Sequence, residues 1–541
     1  MLKKFLSVFM TFAVIISTFF CFSVNSFAAY PGDVPIIYVT GTGHELGIKQ
    51  DDGSWKVITY EIDKQKVVDA ALANKDVFIK AFLTQDWTDF SKVLADVMKE
   101  LFAEFRLDEN GEPTDGSRST FEPTADSVRN RYNAGGDLGT DTFYFEGDWR
   151  LDPLENMDEL ESYINLVLEV TGSEKYAICG RCEGACTVLQ WLDYYKNKYG
   201  EYDSRITDVI MFAAASNGVE SVSSAFSGKM HLEADAVERF VYDSDFGLDT
   251  EIGSFNLTDE SLREILTIVS NAYGLDLGCW AVNNVYSQIY FNVIPEALRY
   301  SYATFPAYWT MVTDDDYEDA KKLVFGDETE KYAGLIAKID RYHNEIAVRT
   351  EEILKGAEES GIEVSNIVKY GFQIYPYVEN PNIQSDRICG VELASWGATT
   401  TPLGETFSDD YIKNAVAKGT AKYISPDLCI DASTTFLKDT TWFIKNFEHS
   451  TFRRYADKLI FAIVNTKGMT VETYKDLPQY LYFDTTTATI SPYDVDTQKV
   501  NLDNYFNSAT VSFARKIKPA FKYLFKFTTI IIRLLMPKVK S

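Results

Sequence analysis

The sequence predicts an α/β fold in which a mostly parallel sheet is flanked by helices. Short apolar segments typical of buried strands recur along the chain, and longer segments with helical periodicity separate them. Strands that alternate with helices are joined by right-handed crossovers, which place the strands parallel in one sheet. A chain of 541 residues can bury one large core with an insertion, or form two domains.

The first half of the chain supplies most of this alternating pattern. Predicted strands lie at 34–39, from Thr142 onward, at 176–178 and at 206–214, and predicted helices lie at 154–171 and 185–198. Apolar residues from Val67 to Phe105 also recur at helical spacing, and a polar, turn-rich loop follows them. Sheet character returns at 367–375 and 441–445. We therefore assign residues 29–215 and 366–500 to the two parts of one sheet domain.

Between these parts the alternation stops. Residues 216–365 contain helical segments at 261–272 and 332–357, and an aromatic-rich segment at 286–309. This composition predicts a mainly helical cap inserted into the sheet domain, where it would shield a site from water. A second helical domain with its own core is an equally compatible interpretation.

The N-terminus has the three parts of a secretory signal peptide. Lys3 and Lys4 precede an apolar run from Phe5 to Val24, and Ser26-Phe27-Ala28 provides a small-x-small cleavage site. Residues 1–28 are therefore predicted to be removed, with cleavage after Ala28 or Ala29. The expected location is secreted or extracytoplasmic, and a retained N-terminal anchor is the alternative.

Residues 501–541 form a basic amphipathic tail. From Asn504 to the end there are eight basic residues and no acidic ones, interleaved with aromatic and aliphatic side chains. Such a segment is typical of a helix that lies on an anionic membrane surface, and its uncharged runs are too short to span a bilayer. The prediction is peripheral membrane association. The alternative is a terminal helix that docks on the protein's own acidic body.

Charge and ligand-forming residues exclude several classes of function. The net charge of −28 argues against nucleic acid as a partner. Seven cysteines lack the dense spacing of a disulfide scaffold, and four histidines form no ligand motif with them. Neither a metal nor an organic cofactor is expected.

The strongest chemical motif is Gly180-Arg181-Cys182-Glu183-Gly184, which lies between a predicted strand and a predicted helix. A nucleophile on a sharp turn leaves no room for side chains two residues away on either side, which explains Gly180 and Gly184. A glycine-flanked turn with a buried cysteine is the alternative. A redox pair of Cys179 and Cys182 fits poorly, because it calls for a small thioredoxin-like context.

Together these features resemble the α/β-hydrolase superfamily on its lipase side. Asp148–Pro153 looks like the Asp-Trp-Arg segment of lecithin:cholesterol acyltransferase-like proteins, in which the tryptophan lies beside the acyl site; here it is Trp149. The segment at Asp427 occupies the place of the family's Asp-Gly-x-Val. The cysteine between the two glycines, in Gly180–Gly184, is similar to the Gly-x-Cys-x-Gly motif of dienelactone hydrolase-like members of the superfamily.

The resemblance implies a catalytic triad in the chain order nucleophile, acid, histidine. Cys182 would be the nucleophile, Asp427 the acid with Asp431 as a close rival, and His449 the base, since no other histidine follows Asp427. The backbone N–H groups of Thr42 and Glu183 would form the oxyanion hole. The pattern departs from the family at Arg181, Cys182 and Leu428.

The predicted function is a secreted hydrolase that cleaves or transfers an acyl group from an ester, thioester or amide, lipids included. A small-molecule or lipid acyl substrate is the expected partner. The competing hypothesis is an inactive hydrolase-fold protein that binds a ligand or a cell-envelope partner, which the unusual Arg181-Cys182-Glu183 sequence motivates.

Overall fold

A computed structural model describes residues 34–58, 69–70, 73–84, 86–133, 142–243, 279–280, 282–283, 286–287, 290, 293–451 and 453–495. The predicted signal peptide, the helix predicted at 261–272 and the basic tail lie outside these described residues. Within the described ranges, no helix combines the length and the apolar character needed to cross a membrane.

The described strands, numbered in chain order, fall into one large and two small sheets. They are β1 (Ile36–Val39), β2 (Leu46–Lys49), β3 (Trp55–Ile58), β4 (Arg118–Ser119), β5 (Thr142–Phe145), β6 (Tyr176–Arg181), β7 (Ile206–Phe212), β8 (Glu363–Tyr370), β9 (Thr399–Thr400), β10 (Ile430–Asp431), β11 (Thr441–Lys445), β12 (Tyr480–Asp484) and β13 (Thr489–Pro492).

The described helices lie before, between and after these strands. They are α1 (Lys75–Thr84), α2 (Thr88–Leu101), α3 (Ala125–Asn133), α4 (Met157–Thr171), α5 (Gly184–Tyr199), α6 (Glu220–Ser227), α7 (Ala234–Asp243), α8 (Ile294–Arg299), α9 (Pro306–Trp309), α10 (Asp314–Phe325), α11 (Ala333–Glu345), α12 (Thr350–Glu359), α13 (Val391–Ala394), α14 (Asp409–Lys418) and α15 (Asp457–Val464).

The large sheet has eight strands in the order β13-β12-β11-β8-β7-β6-β1-β5. Every neighbouring pair is parallel except β12 and β13 at the edge. The side chains of β1 and β7 are almost entirely buried on both faces, as expected where helices cover both sides of a parallel sheet. This mostly parallel sheet flanked by helices confirms the predicted α/β class.

The register of the sheet brings several loops together at one edge. Val39 of β1 lies between Phe145 of β5 and Gly180 of β6, so these three strands end side by side. Strand β8 is paired with β7 on one side and with β11 on the other. Because parallel strands end at the same edge, the loops that follow β1, β6, β8 and β11 can meet there.

Two parts of the chain differ from the sequence-based expectation. The segment expected to carry the triad acid contributes only β10, which pairs with β9 in a separate antiparallel sheet. Strands β2, β3 and β4 form a three-stranded sheet that the sequence analysis does not predict. Among the described residues between β7 and β8 there are helices and no strand, and the boundaries of the predicted cap stay a prediction.

The described part of the chain divides into two units. The first contains the described residues up to 231 and from 286 to 492, with the central sheet and every candidate site residue discussed below. The second contains the described residues from 232 to 283 and from 493 to 495, and α7 is its longest described element.

Candidate active site

Cys182 lies on a tight turn between the end of β6 and the start of α5. Its φ is +54°, in the left-handed region that side chains with a Cβ rarely adopt. A Cβ on Gly184 would lie 2.2 Å from the carbonyl oxygen of Val39, and one on Gly180 would lie 2.6 Å from Cα of Ala185. Both glycines are therefore required by close packing of the turn against β1 and α5.

Backbone hydrogen bonds hold Cys182 in this strained conformation. Its N–H donates to the carbonyl of Phe212 at 3.2 Å, and its carbonyl accepts from the N–H groups of Ala185 and Ala215, each at 3.1 Å. Strained residues persist where the surrounding structure fixes them in this way, and such residues are concentrated at functional sites.

His449 follows β11 and points its ring at the turn. Its Nδ1 lies 2.7 Å from Oδ2 of Asp386, and both side chains are fully buried. The ring also lies close enough to the thiol of Cys182 for each group to shift the pKa of the other. Since Nδ1 is engaged by Asp386, Nε2 is the nitrogen left for the sulfur. The structure thus brings cysteine, imidazole and carboxylate together at one edge of the sheet.

Asp386 lies in the loop that follows β8, and its carboxylate is fixed by backbone donors. Oδ1 accepts from the N–H of Ile388 at 3.1 Å and from the N–H of Cys389 at 2.8 Å. The carbonyl of Asp386 accepts from the N–H of His449 at 2.9 Å. Acid and base are therefore connected through both backbone and side chain.

The sequence-based assignment of Asp427 as the partner of His449 is wrong, and so is the rival assignment of Asp431. Asp427 forms an ion pair with Nζ of Lys445 at 2.6 Å. Asp431 accepts from the hydroxyl of Tyr411 at 2.9 Å. The physical reason is the topology, because the loop after β8 ends beside β11, whereas the Asp427 segment leads into the separate β9–β10 sheet.

The electrostatics favour a thiolate paired with an imidazolium. Burial raises the pKa of Cys182. His449 is the largest of the influences that oppose burial, and with Arg181 and the N–H of Glu183 it brings the pKa below its ordinary value. Burial lowers the pKa of His449, but the charges of Asp386 and Cys182 raise it to about 9. The Asp386 carboxyl, although buried, keeps a pKa below its ordinary value, chiefly because of His449.

The two residues whose backbone groups are expected to form an oxyanion hole lie near Cys182. The N–H of Glu183 lowers the pKa of the thiol, and Thr42 and Cys182 line the same small cavity. Gly41 packs between them, since a Cβ there would lie 3.3 Å from Cβ of Cys182 and from the Glu183 nitrogen. Whether these groups hold an oxyanion stays a prediction.

The side chain of Glu183 is buried behind the turn. Oε1 of its carboxyl group accepts from Oγ1 of Thr187 at 3.3 Å. Burial, together with the nearby Cys182 charge, raises the Glu183 pKa to about 8. The carboxyl is therefore protonated at neutral pH and adds no negative charge beside the thiolate.

Trp149 packs against the loop that follows β1. Its Nε1 donates to the carbonyl of His44 at 3.0 Å, and its ring contacts Phe305 edge-to-face at 5.9 Å. Trp149 is not among the residues that line the cavity at Cys182. Its neighbours Asp148 and Arg150 form a buried ion pair at 2.7 Å, so this segment anchors structure close to the site.

A cavity of about 30 Å³ opens onto the thiol. Its lining is mostly aliphatic and aromatic, and apart from the cysteine it contains no ionisable group other than tyrosine. The lining residues are Thr42, Cys182, Val219, Ser221, Val222, Tyr308, Met311, Tyr375, Tyr377 and Ile388.

The other cysteines have a different character. Cys179 faces the core beneath the turn, and burial raises its pKa to about 12. Burial also raises the pKa of Cys186 and of Cys389.

In the described part of the chain, one group of side chains has a spacing that suits a metal ion, namely Asp386, Cys389 and His449. The hydrogen bond between Asp386 and His449 already accounts for two of these three.

Comparisons with known proteins add little to this geometry. The sequence matches no protein-family model and no curated protein. A structural comparison finds Kex1(delta)p, a prohormone-processing carboxypeptidase from Saccharomyces cerevisiae, at 13% identity and a TM-score of 0.21. The match covers 72% of this chain and 73% of that chain.

Proposed function

We propose that this protein is an acyl hydrolase or acyltransferase in which Cys182 is the nucleophile, His449 the general base and acid, and Asp386 the orienting acid. The observation that carries the proposal is the 2.7 Å contact between Nδ1 of His449 and Oδ2 of Asp386, together with the effect that His449 and Cys182 have on each other's pKa. A nucleophile, a base and a group that orients the base are the three parts of covalent acyl catalysis.

In the proposed reaction, the Cys182 thiolate attacks the carbonyl carbon of an ester, thioester or amide. The N–H groups of Thr42 and Glu183 donate to the oxyanion that forms. The tetrahedral intermediate collapses as the imidazolium of His449 gives its proton to the leaving group, which leaves a thioester on Cys182. His449 then takes a proton from water or another acceptor as that acceptor attacks the thioester. The tetrahedral intermediate collapses, the acid or the acylated acceptor leaves, and the Cys182 thiolate and the His449 imidazolium are restored.

The Asp386 carboxylate stays ionised throughout this cycle. Its acceptance of the Nδ1 proton fixes the imidazole tautomer and stabilises the imidazolium. The pKa of Asp386, held below its ordinary value by His449 despite burial, supports this role.

The cavity at the thiol favours an uncharged acyl group of only a few carbons. Its volume of about 30 Å³ is far below the range of roughly 300 to 1,000 Å³ typical of drug-sized ligands. A long lipid chain would require the tyrosines at 308, 375 and 377 to move.

The signal peptide and the basic tail predicted from the sequence support the further proposal that the enzyme acts outside the cytoplasm, at an anionic membrane surface.

The test is intact-mass measurement of the purified protein after incubation with activated acyl esters of two, four, eight and sixteen carbons. The parent protein should gain one acyl group and lose it with time, whereas Cys182→Ser and His449→Ala should not show this cycle. Cys429→Ser is the matched control, because its thiol is near Asp427 and not near His449. If no ester gives an adduct, the inactive binding protein becomes the better hypothesis.

A further inference from the structure

A lysine that takes no part in the proposed chemistry lies directly beneath the catalytic histidine. Lys369 is on β8, in register with Ile444 of β11, and only 1% of it is exposed. Its Nζ donates to the backbone carbonyls of Glu448 at 3.1 Å, of His449 at 3.0 Å and of Thr451 at 3.3 Å. Three acceptors match the three N–H donors of an ammonium group.

The same loop is held at His449 from two other directions. Nη2 of Arg181, the residue before the nucleophile, donates to the His449 carbonyl at 3.0 Å. The His449 N–H donates to the Asp386 carbonyl at 2.9 Å. Both backbone groups of His449 are therefore bound by residues of the sheet edge, and the carbonyl accepts from two cations.

We propose that Lys369 is a positioning residue that clamps the His449 loop through these three carbonyls and so sets the imidazole in line with Cys182. The inference rests on the proposed function, since it assigns a residue that organises that same triad. The three hydrogen bonds of Lys369 end on backbone carbonyls, so its proposed effect on the reaction passes through the position of His449.

The surroundings of Lys369 explain why a charged group can be buried there. Its Nζ lies 4.8 Å from the ring centre of Phe212 and 4.5 Å from that of Phe447, so two aromatic faces complement the carbonyls. The charged groups that face it are Arg181 from β6, Asp386 and Glu448 from the neighbouring loops, and Cys182.

The charged groups around Lys369 shift its pKa in opposite directions. Burial and then Arg181 lower the pKa of Lys369 to about 7, whereas the three acidic groups raise it. Only the protonated form supplies all three N–H donors, so the clamp itself favours the ammonium.

The test compares Lys369→Met with Lys445→Met. Methionine keeps the unbranched stem and removes the donors, and Lys445 is a matched control because it lies on β11 and pairs with Asp427. The first measurement is the pH midpoint of Cys182 alkylation by iodoacetamide, followed by peptide mass. The second is the rate of acyl-adduct formation, and the midpoint of thermal unfolding reports folding.

If Lys369 positions His449, Lys369→Met moves the alkylation midpoint upward by about one pH unit or more, toward the ordinary thiol value of about 8.5. Adduct formation slows by about 10- to 100-fold, as expected for a misplaced catalytic group. Lys445→Met leaves both measurements unchanged. Lys369→Gln, which keeps an amide donor, should give an intermediate midpoint, and it replaces the methionine variant if that variant does not fold.

Two outcomes are distinguishable. An alkylation midpoint that stays at the parent value in Lys369→Met or Lys369→Gln, even with lower thermal stability, shows a merely structural lysine and overturns this inference. A parent protein whose Cys182 already titrates near 8.5 overturns the proposed function itself, whatever the lysine variants do.

Discussion

The carboxylate Oδ2 of Asp386 lies 2.7 Å from Nδ1 of His449, although 63 residues separate the two in the chain. The contact arises because β8, which precedes Asp386, is paired with β11, which precedes His449. Parallel neighbours deliver the loops that follow them to the same edge, where Cys182 also lies at the end of β6. The topology of the sheet therefore assembles the candidate triad from three separate strands.

We expect Asp386→Asn to reduce acyl-adduct formation strongly and Asp427→Asn to leave it nearly unchanged. An amide at position 386 cannot stabilise the imidazolium and favours the wrong tautomer, a change that costs about 10⁴-fold in a serine protease triad. A loss of about 10²- to 10⁴-fold is expected here, measured as the rate of mass gain with an activated ester. A large loss in Asp427→Asn with none in Asp386→Asn would restore the original assignment.

The error at the triad acid has a physical origin in the long connection after β8. The order of nucleophile, acid and histidine is satisfied equally by Asp386, Asp427 and Asp431. What separates them is strand pairing, and a sequence alone does not show that residues 430–431 pair with 399–400 outside the main sheet. The signal that distinguishes the three acids is the strand that precedes each of them. The loop after β8 reaches His449 because β8 is paired with β11, the strand before the histidine.

The sequence predicts structure that depends on neighbouring residues better than contacts between residues far apart in the chain. The strand, turn and helix around Cys182 follow from apolar runs and from two glycines, and the structure has β6, the turn and α5 there. Lys369 was not found, because its role depends on carbonyls 79 to 82 residues away. Nε1 of Trp149 donates to the carbonyl of His44, and the place of Trp149 beside an acyl group stays a prediction.

The pH dependence of Cys182 should depend on His449. The charge of His449 is the main influence that brings the Cys182 pKa below its ordinary value, and burial opposes it. Removing the ring in His449→Ala leaves burial, so the alkylation midpoint should move upward. In the parent protein, acyl turnover should also fall as the pH rises through about 9, where the imidazolium loses its proton. An unchanged midpoint in His449→Ala would show that the two groups do not interact.

Glu183 should make the parent protein less stable as the pH rises. Burial raises its folded-state pKa to about 8, whereas an unperturbed glutamate titrates near 4.3. Between these values the folded state binds a proton that the unfolded state does not, so the free energy of unfolding falls with pH by up to about 1.4 kcal/mol per unit.

The neutral Glu183→Gln variant should lack this contribution. The difference in the free energy of unfolding between the variant and the parent, measured in urea at pH 5, 6, 7 and 8, should therefore grow in favour of the variant as the pH rises. A difference that stays constant over this range would mean that the folded carboxyl is already ionised.

Gly184→Ala should damage the fold far more than the same change at the other end of α5. A Cβ at position 184 would lie 2.2 Å from the carbonyl oxygen of Val39, which is backbone of β1 and cannot move aside alone. We expect a loss of about 3 kcal/mol or more in the free energy of unfolding, or failure to fold.

Gly200→Ala is the control, since φ there is +86° and nothing lies within 4 Å of its added Cβ. That variant should lose only the cost of a left-handed alanine, about 1 to 2 kcal/mol. Equal losses at the two positions would mean that the turn carrying Cys182 does not pack against β1 as closely as described.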